Sequence, residues 1–164
     1  MGLRQNLEQE LETLYKAGGP LPAALVATEA SGIRLRLNVT TIDLLGCAVS
    51  GLELFVPQLQ QAAFDVLKQW ADNLSQRITY LLEQMAPLEF DEDAQQVLIR
   101  SKSPDQLADG AQYYEVILSQ QGAGTFLLKR YRSVKGQPGR MAVDMLLTRE
   151  VILKLVDDLQ ATIP

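Results

Sequence analysis

The densest chemistry in the sequence is the stretch Lys129-Arg130-Tyr131-Arg132-Ser133-Val134-Lys135-Gly136-Gln137-Pro138-Gly139-Arg140, which holds five of the 15 basic residues and no acid. Side chains of a strand alternate, so Lys129, Tyr131 and Ser133 share one face, and Arg130 and Arg132 share the other. Cations beside a phenol ring can grip phosphates and stack a base, the combination used on single-stranded nucleic acid or a phosphorylated ligand. The same guanidinium groups suit the carboxylates of a partner protein. A charged hairpin also serves simply to keep a sheet edge from pairing with other chains. Lys129, Arg130, Tyr131, Arg132, Lys135 and Arg140 are therefore the candidate binding residues.

Other reactive groups offer less. Glu89-Phe90-Asp91-Glu92-Asp93 is rich in the oxygen ligands that Mg²⁺ and Ca²⁺ want. A Ca²⁺ loop counted from Asp91 needs glycine and glutamate where Gln96 and Lys102 stand, so this run reads as a polar turn between a helix and a strand. Cys47 sits among apolar neighbours and reads as a small buried hydrophobe. Gly122 and Gly124 form G-x-G, but Leu127 replaces the next glycine of the dinucleotide fingerprint and a strand follows instead of a helix. The chain has no histidine, which excludes His-based triads and His-ligated metals. Nothing in the spacing pairs a nucleophile with a base. No catalytic residue, cofactor or metal site is expected.

The elements that must position these groups follow from periodicity. Leu3, Leu7, Leu11 and Leu14 line a short amphipathic helix that Gly18-Gly19-Pro20 ends. Residues 17–32, with their prolines and small side chains, read as a helical turn or as a flexible linker. Strict alternation over Ile33–Val39 predicts a strand, and Ala48–Phe55 supplies its partner. From Pro57 to Met85 apolar residues recur every three or four positions through Val66, Trp70, Leu74, Ile78 and Leu81. That predicts one long helix, ~40 Å at 1.5 Å per residue, with Pro87 as its stop. Its stripe suits the chain's own sheet, a partner helix or a second subunit.

Strands are expected at Gln96–Ser101, Tyr113–Gln120, Gly124–Ser133 and Met141–Leu147, with turns at 119–124 and 135–139 making a meander. Thr148 is the expected N-cap of a last helix lined by Val151, Ile152, Leu155 and Leu159. Asp157 and Asp158 stand at its negative end, where fraying is expected. Strands grouped between helices give an α+β class: an antiparallel sheet packed by the long central helix and the C-terminal helix. The expected core comprises Leu35, Leu37, Leu54, Val66, Trp70, Leu74, Ile78, Leu81, Val116, Leu118, Leu128, Val143, Met145, Ile152 and Leu155.

At 164 residues, 47% hydrophobic and 21% charged, the chain suits one globular domain, 1–164. One cysteine excludes an intramolecular disulfide. The net charge of −5 opposes nonspecific binding to nucleic acid, although a local patch can act within a Debye length of ~8 Å. The polar N-terminus lacks a signal-peptide core and no apolar run reaches ~20 residues, so a cytoplasmic, non-membrane protein is expected. The functional expectation is a non-enzymatic interaction module, adaptor or chaperone-like, that binds another protein or itself as a homodimer. The alternative is a binder of single-stranded nucleic acid or a phosphorylated ligand through hairpin 129–140.

Overall fold

A computed structural model describes residues 2–81, 84–102, 104–120 and 124–164. The fold is α+β. Helices α1 (Leu3–Ala17), α2 (Phe64–Arg77) and α3 (Arg149–Thr162) accompany ten antiparallel strands. These are β1 (Ala23–Thr28), β2 (Arg34–Ile42), β3 (Gly46–Val56), β4 (Met85–Asp91), β5 (Gln96–Ser101), β6 (Asp105–Leu107), β7 (Gly110–Ser119), β8 (Gly124–Val134), β9 (Met141–Val143) and β10 (Met145–Thr148). The sheet runs β1-β2-β3-β8-β7-β5-β4, with β6 on β7, β9 on β8 and β10 on β3.

The core lies on one side of that sheet. Alternate residues of the strands, among them Leu35, Leu37, Leu54, Val97, Val116, Leu118, Phe126 and Leu128, join Leu3, Leu7, Leu11, Trp70, Leu74, Ile152 and Leu155 in one buried cluster. Helix α1 lies against β1 and β2, α2 against β4, β5 and β7, and α3 against β10 and β3. Trp70 packs on Phe126 with ring centroids 6.3 Å apart and donates its indole N–H to Thr162 Oγ1 at 3.2 Å. Thirteen of the fifteen expected core residues are buried and Val66 packs half-buried against them, but Val143, half-buried on the short strand β9, lies outside that cluster. Cys47 is buried too, and burial raises its thiol pKa.

Four expectations need correction. The long helix of 57–85 is three pieces. Pro57–Leu59 forms a single 3-10 turn, α2 spans only Phe64–Arg77, and β4 begins at Met85. Ile78 leaves the helix with φ −89° and ψ 89° at the start of a β-branched and aromatic run, Ile78-Thr79-Tyr80, whose members are weak helix formers. Ile78 and Leu81 are buried outside the helix, so their spacing matched a helix that is not there. Residues 82 and 83 of that expected helix lie outside the described residues, as do 121–123 of the expected 119–124 turn.

Within the 17–32 linker, residues 23–28 form β1, an edge strand registered Leu25 to Leu37. Leu25 and Ala27 alternate into the core, which settles them as strand. The 89–93 run is likewise not all turn. Glu89, Phe90 and Asp91 belong to β4, an edge strand that accepts Pro87 because no ladder bond needs its missing N–H. The last helix keeps its end: α3 runs on to Thr162, since Asp158 is 3% exposed and fully partnered. Its carboxylate accepts from Arg77 Nε at 2.8 Å, Tyr80 Oη at 2.6 Å and Lys154 Nζ at 3.3 Å. Thr148 caps that helix as expected, its Oγ1 accepting from the Val151 N–H at 3.1 Å.

Candidate functional site

The hairpin residues divide between the two faces of the sheet. Phe126 and Leu128 point into the core, so Arg130 and Arg132 continue the helix-bearing face beyond its last helix, and Lys129 and Tyr131 stand on the opposite face. Carboxylates of the same chain hold the arginines. Arg132 Nη2 donates to both oxygens of Asp109 at 2.9 and 2.8 Å. The Arg130 guanidinium lies 4.2 Å over the Tyr114 ring, 4.0 Å from Asp105, and donates to Gln112 Oε1 at 3.3 Å. Arg140 folds back over the Tyr131 ring at 3.7 Å and forks onto Glu115, Nη2 to Oε1 at 2.9 Å. Lys129 and Lys135 make no ion pair among the described residues.

Glu115 is the residue the sequence hides. It is 3% exposed at the middle of β7, and Arg100 of β5 also donates to it, Nη2 to Oε2 at 2.9 Å. Burial alone would raise its carboxyl pKa. The hydrogen bonds from Arg140 and Arg100 outweigh that and hold it below the ordinary carboxylate range. Tyr113 and Tyr131 pack beside this cluster with centroids 6.1 Å apart. The only trace of it in the sequence is one acid inside the apolar run Tyr113–Leu118.

Around Glu115 spreads the face of the sheet that carries no helix. Register places Arg36, Glu53, Leu127, Ile117, Leu98 and Glu89 in one row across β2, β3, β8, β7, β5 and β4. The next row is Arg34, Phe55, Thr125, Ser119, Gln96 and Asp91. Phe55, Leu98, Ile117 and Leu127 are half-buried, covered only by one another and by neighbouring strands. At the β4 end a cleft of about 400 Å3 opens between the carboxylates of Glu89 and Asp91 and the cluster of Arg100, Tyr113 and Arg140. Both its guanidinium groups are already engaged by Glu115, while the Glu89 and Asp91 carboxylates on its other wall make no ion pair among the described residues. Among the described residues no three acids or thiols gather to hold a metal ion, and no helix is long and apolar enough to cross a membrane.

No family model matches the chain, and no curated protein does. Among solved structures it is similar to a DUF4468 family protein from Bacteroides ovatus ATCC 8483, at 12% identity over 76% of this chain and 86% of that one, with a TM-score of 0.36. A likeness of that degree transfers neither function nor site residues.

Proposed function

We propose that the chain is a non-enzymatic protein-interaction module, adaptor or chaperone-like, that docks a polypeptide on the helix-free face of its sheet. One observation carries the reading: Phe55, Leu98, Ile117 and Leu127 form an apolar band across four adjacent strands with no element of the described chain above it. Such a contiguous patch rimmed by charge is what protein-binding surfaces present, an apolar centre inside a polar border. The border here is Arg34, Arg36, Glu53, Glu89 and Asp91.

A photo-crosslinking amino acid at position 127, and in a second variant at position 10 on the exposed side of α1, tests it in the native cell. Polypeptide adducts are expected from position 127 and not from position 10. Equal yields at both, or none at 127, would remove the face as the docking surface.

The reading in which hairpin 129–140 grips phosphates has less to stand on. Asp105, Asp109 and Glu115 occupy the three arginines that would make those contacts. Lys129, Tyr131 and Lys135 are what remains to it.

A further inference from the structure

The occupant of the helix-free face can be read from its charges. Arg34 and Arg36 on β2 are exposed, and they are the two arginines of the chain with no carboxylate partner among the described residues. Arg34 lies inward across this face, its guanidinium 4.6 Å over the Phe55 ring. Five strands away, Glu89 and Asp91 on β4 are equally exposed and equally without an ion pair among the described residues. The basic and acidic poles share the same two rows: Arg36 with Glu89, and Arg34 with Asp91. Neighbouring strands stand ~4.8 Å apart, so each pole lies ~12 Å from the line between β7 and β8.

That pattern is self-complementary under one particular rotation. A two-fold axis parallel to the strands, in the plane of the interface and over the β7–β8 line, turns a second copy face to face with the first. It exchanges β2 with β4 and β8 with β7 while keeping every row at its own height. Arg36 then faces Glu89 of the second copy, Arg34 faces Asp91, and Leu127 meets Ile117 at the centre. The other in-plane axis, perpendicular to the strands, would lay β2 on β2 and set like charges together. We infer that the face is a homodimer interface built on the first of these axes, two sheets packed with nearly aligned strands. This rests on the reading of the face as a docking surface and names its occupant.

Two charge-reversed variants of the full chain test it, Arg34→Glu with Arg36→Glu, and Glu89→Arg with Asp91→Arg. Sedimentation equilibrium of the wild type should give a dimer. Each variant alone should self-associate at least about tenfold more weakly, because both its poles now meet like charge. Mixed in equal amounts they should form a heterodimer with affinity near that of the wild type, since every reversed pole then finds its opposite. Misfolding cannot produce that rescue, and unchanged melting temperatures check the point. A wild type that is monomeric up to its solubility limit would overturn the inference alone and leave the face to the crosslinking result. A dimer without rescue in the mixture would overturn the axis and the inference with it. A dimer of undiminished affinity in Leu127→Asp would place the dimer contact elsewhere and overturn the inference, leaving the docking surface to the crosslinking result.

Discussion

Glu115 is an ionised carboxylate at the centre of a sheet, tolerable because two guanidinium groups close on it from β5 and from the turn after β8. Its position gives stability a pH dependence with a definite sign. The folded carboxyl pKa lies below the ordinary value, so the unfolded chain binds the proton more tightly. The contribution is therefore complete above the unfolded value of ~4.3 and is lost as pH falls through the folded one. Asp158, held low in the same sense by Tyr80, Arg77 and Lys154 against the upward push of burial, adds to the same window. Glu115→Gln is expected to cost ~1–3 kcal/mol at neutral pH, read from urea unfolding, with the difference from wild type shrinking below about pH 4. Constant destabilisation at every pH would deny the carboxylate this role. The basic run 129–140 is plain in the sequence because its residues are adjacent. Its pairing is not, because Asp105, Asp109 and Glu115 reach it only through strand register, which a linear reading cannot see.

Two strands of the described chain come so close that a side chain would part them. An ideal Cβ on Gly110 would stand 1.8 Å from the Ser133 carbonyl oxygen, where β7 opens its pairing with β8. Gly110→Ala is expected to destabilise by ~2–3 kcal/mol or more, measured by thermal unfolding, since backbone and not a pliable side chain must give way. At the other end of the sheet Thr148→Ala should remove the α3 cap for ~1 kcal/mol. Elements with a single clean period are the legible ones: α1, β2, β5 and α3 lie where leucine spacing, strict alternation or a capping threonine put them. β1 is hidden because prolines and alanines surround a six-residue edge strand. β4 is hidden because Pro87 and a bulge break its alternation. The helix over-reach past Arg77 has a tertiary cause: Ile78 and Leu81 are buried by the sheet beside them, and burial alone imitates a helical stripe.

At the scale of the molecule, the question is whether a chain of net charge −5 can present a basic surface large enough for a polyanion. Phosphate contacts draw their strength from counterion release, roughly in proportion to the cations that are free to neutralise phosphates. On hairpin 129–140 those are Lys129 and Lys135, because Arg130, Arg132 and Arg140 already face carboxylates of their own chain. Arg34 and Arg36 make no ion pair among the described residues, but they lie on β2, across β3 from the strand that carries the hairpin's tyrosine. Lys129 and Arg36 share the helix-free face with Gly51 and Asn38 between them, Asn38 accepting from Arg36 Nε at 3.3 Å, so a strand of nucleic acid joining them would pass beside the Glu53 carboxylate, while Lys135 lies apart in the turn after β8. Even all four of these cations together support only a modest salt slope, about −2.8 for four single-strand phosphates, and an affinity too weak to matter at physiological ionic strength. Titration of labelled single-stranded RNA and DNA at two salt concentrations is therefore expected to show weak binding at low salt and none at ~0.15 M. Tight binding with a steep salt slope would mean that the hairpin's arginines leave Asp105, Asp109 and Glu115 for phosphates, and Arg132→Glu should then abolish it. The charge would in that case be redistributed on binding, and the carboxylates now read as structural partners would instead be the competitors a phosphate displaces.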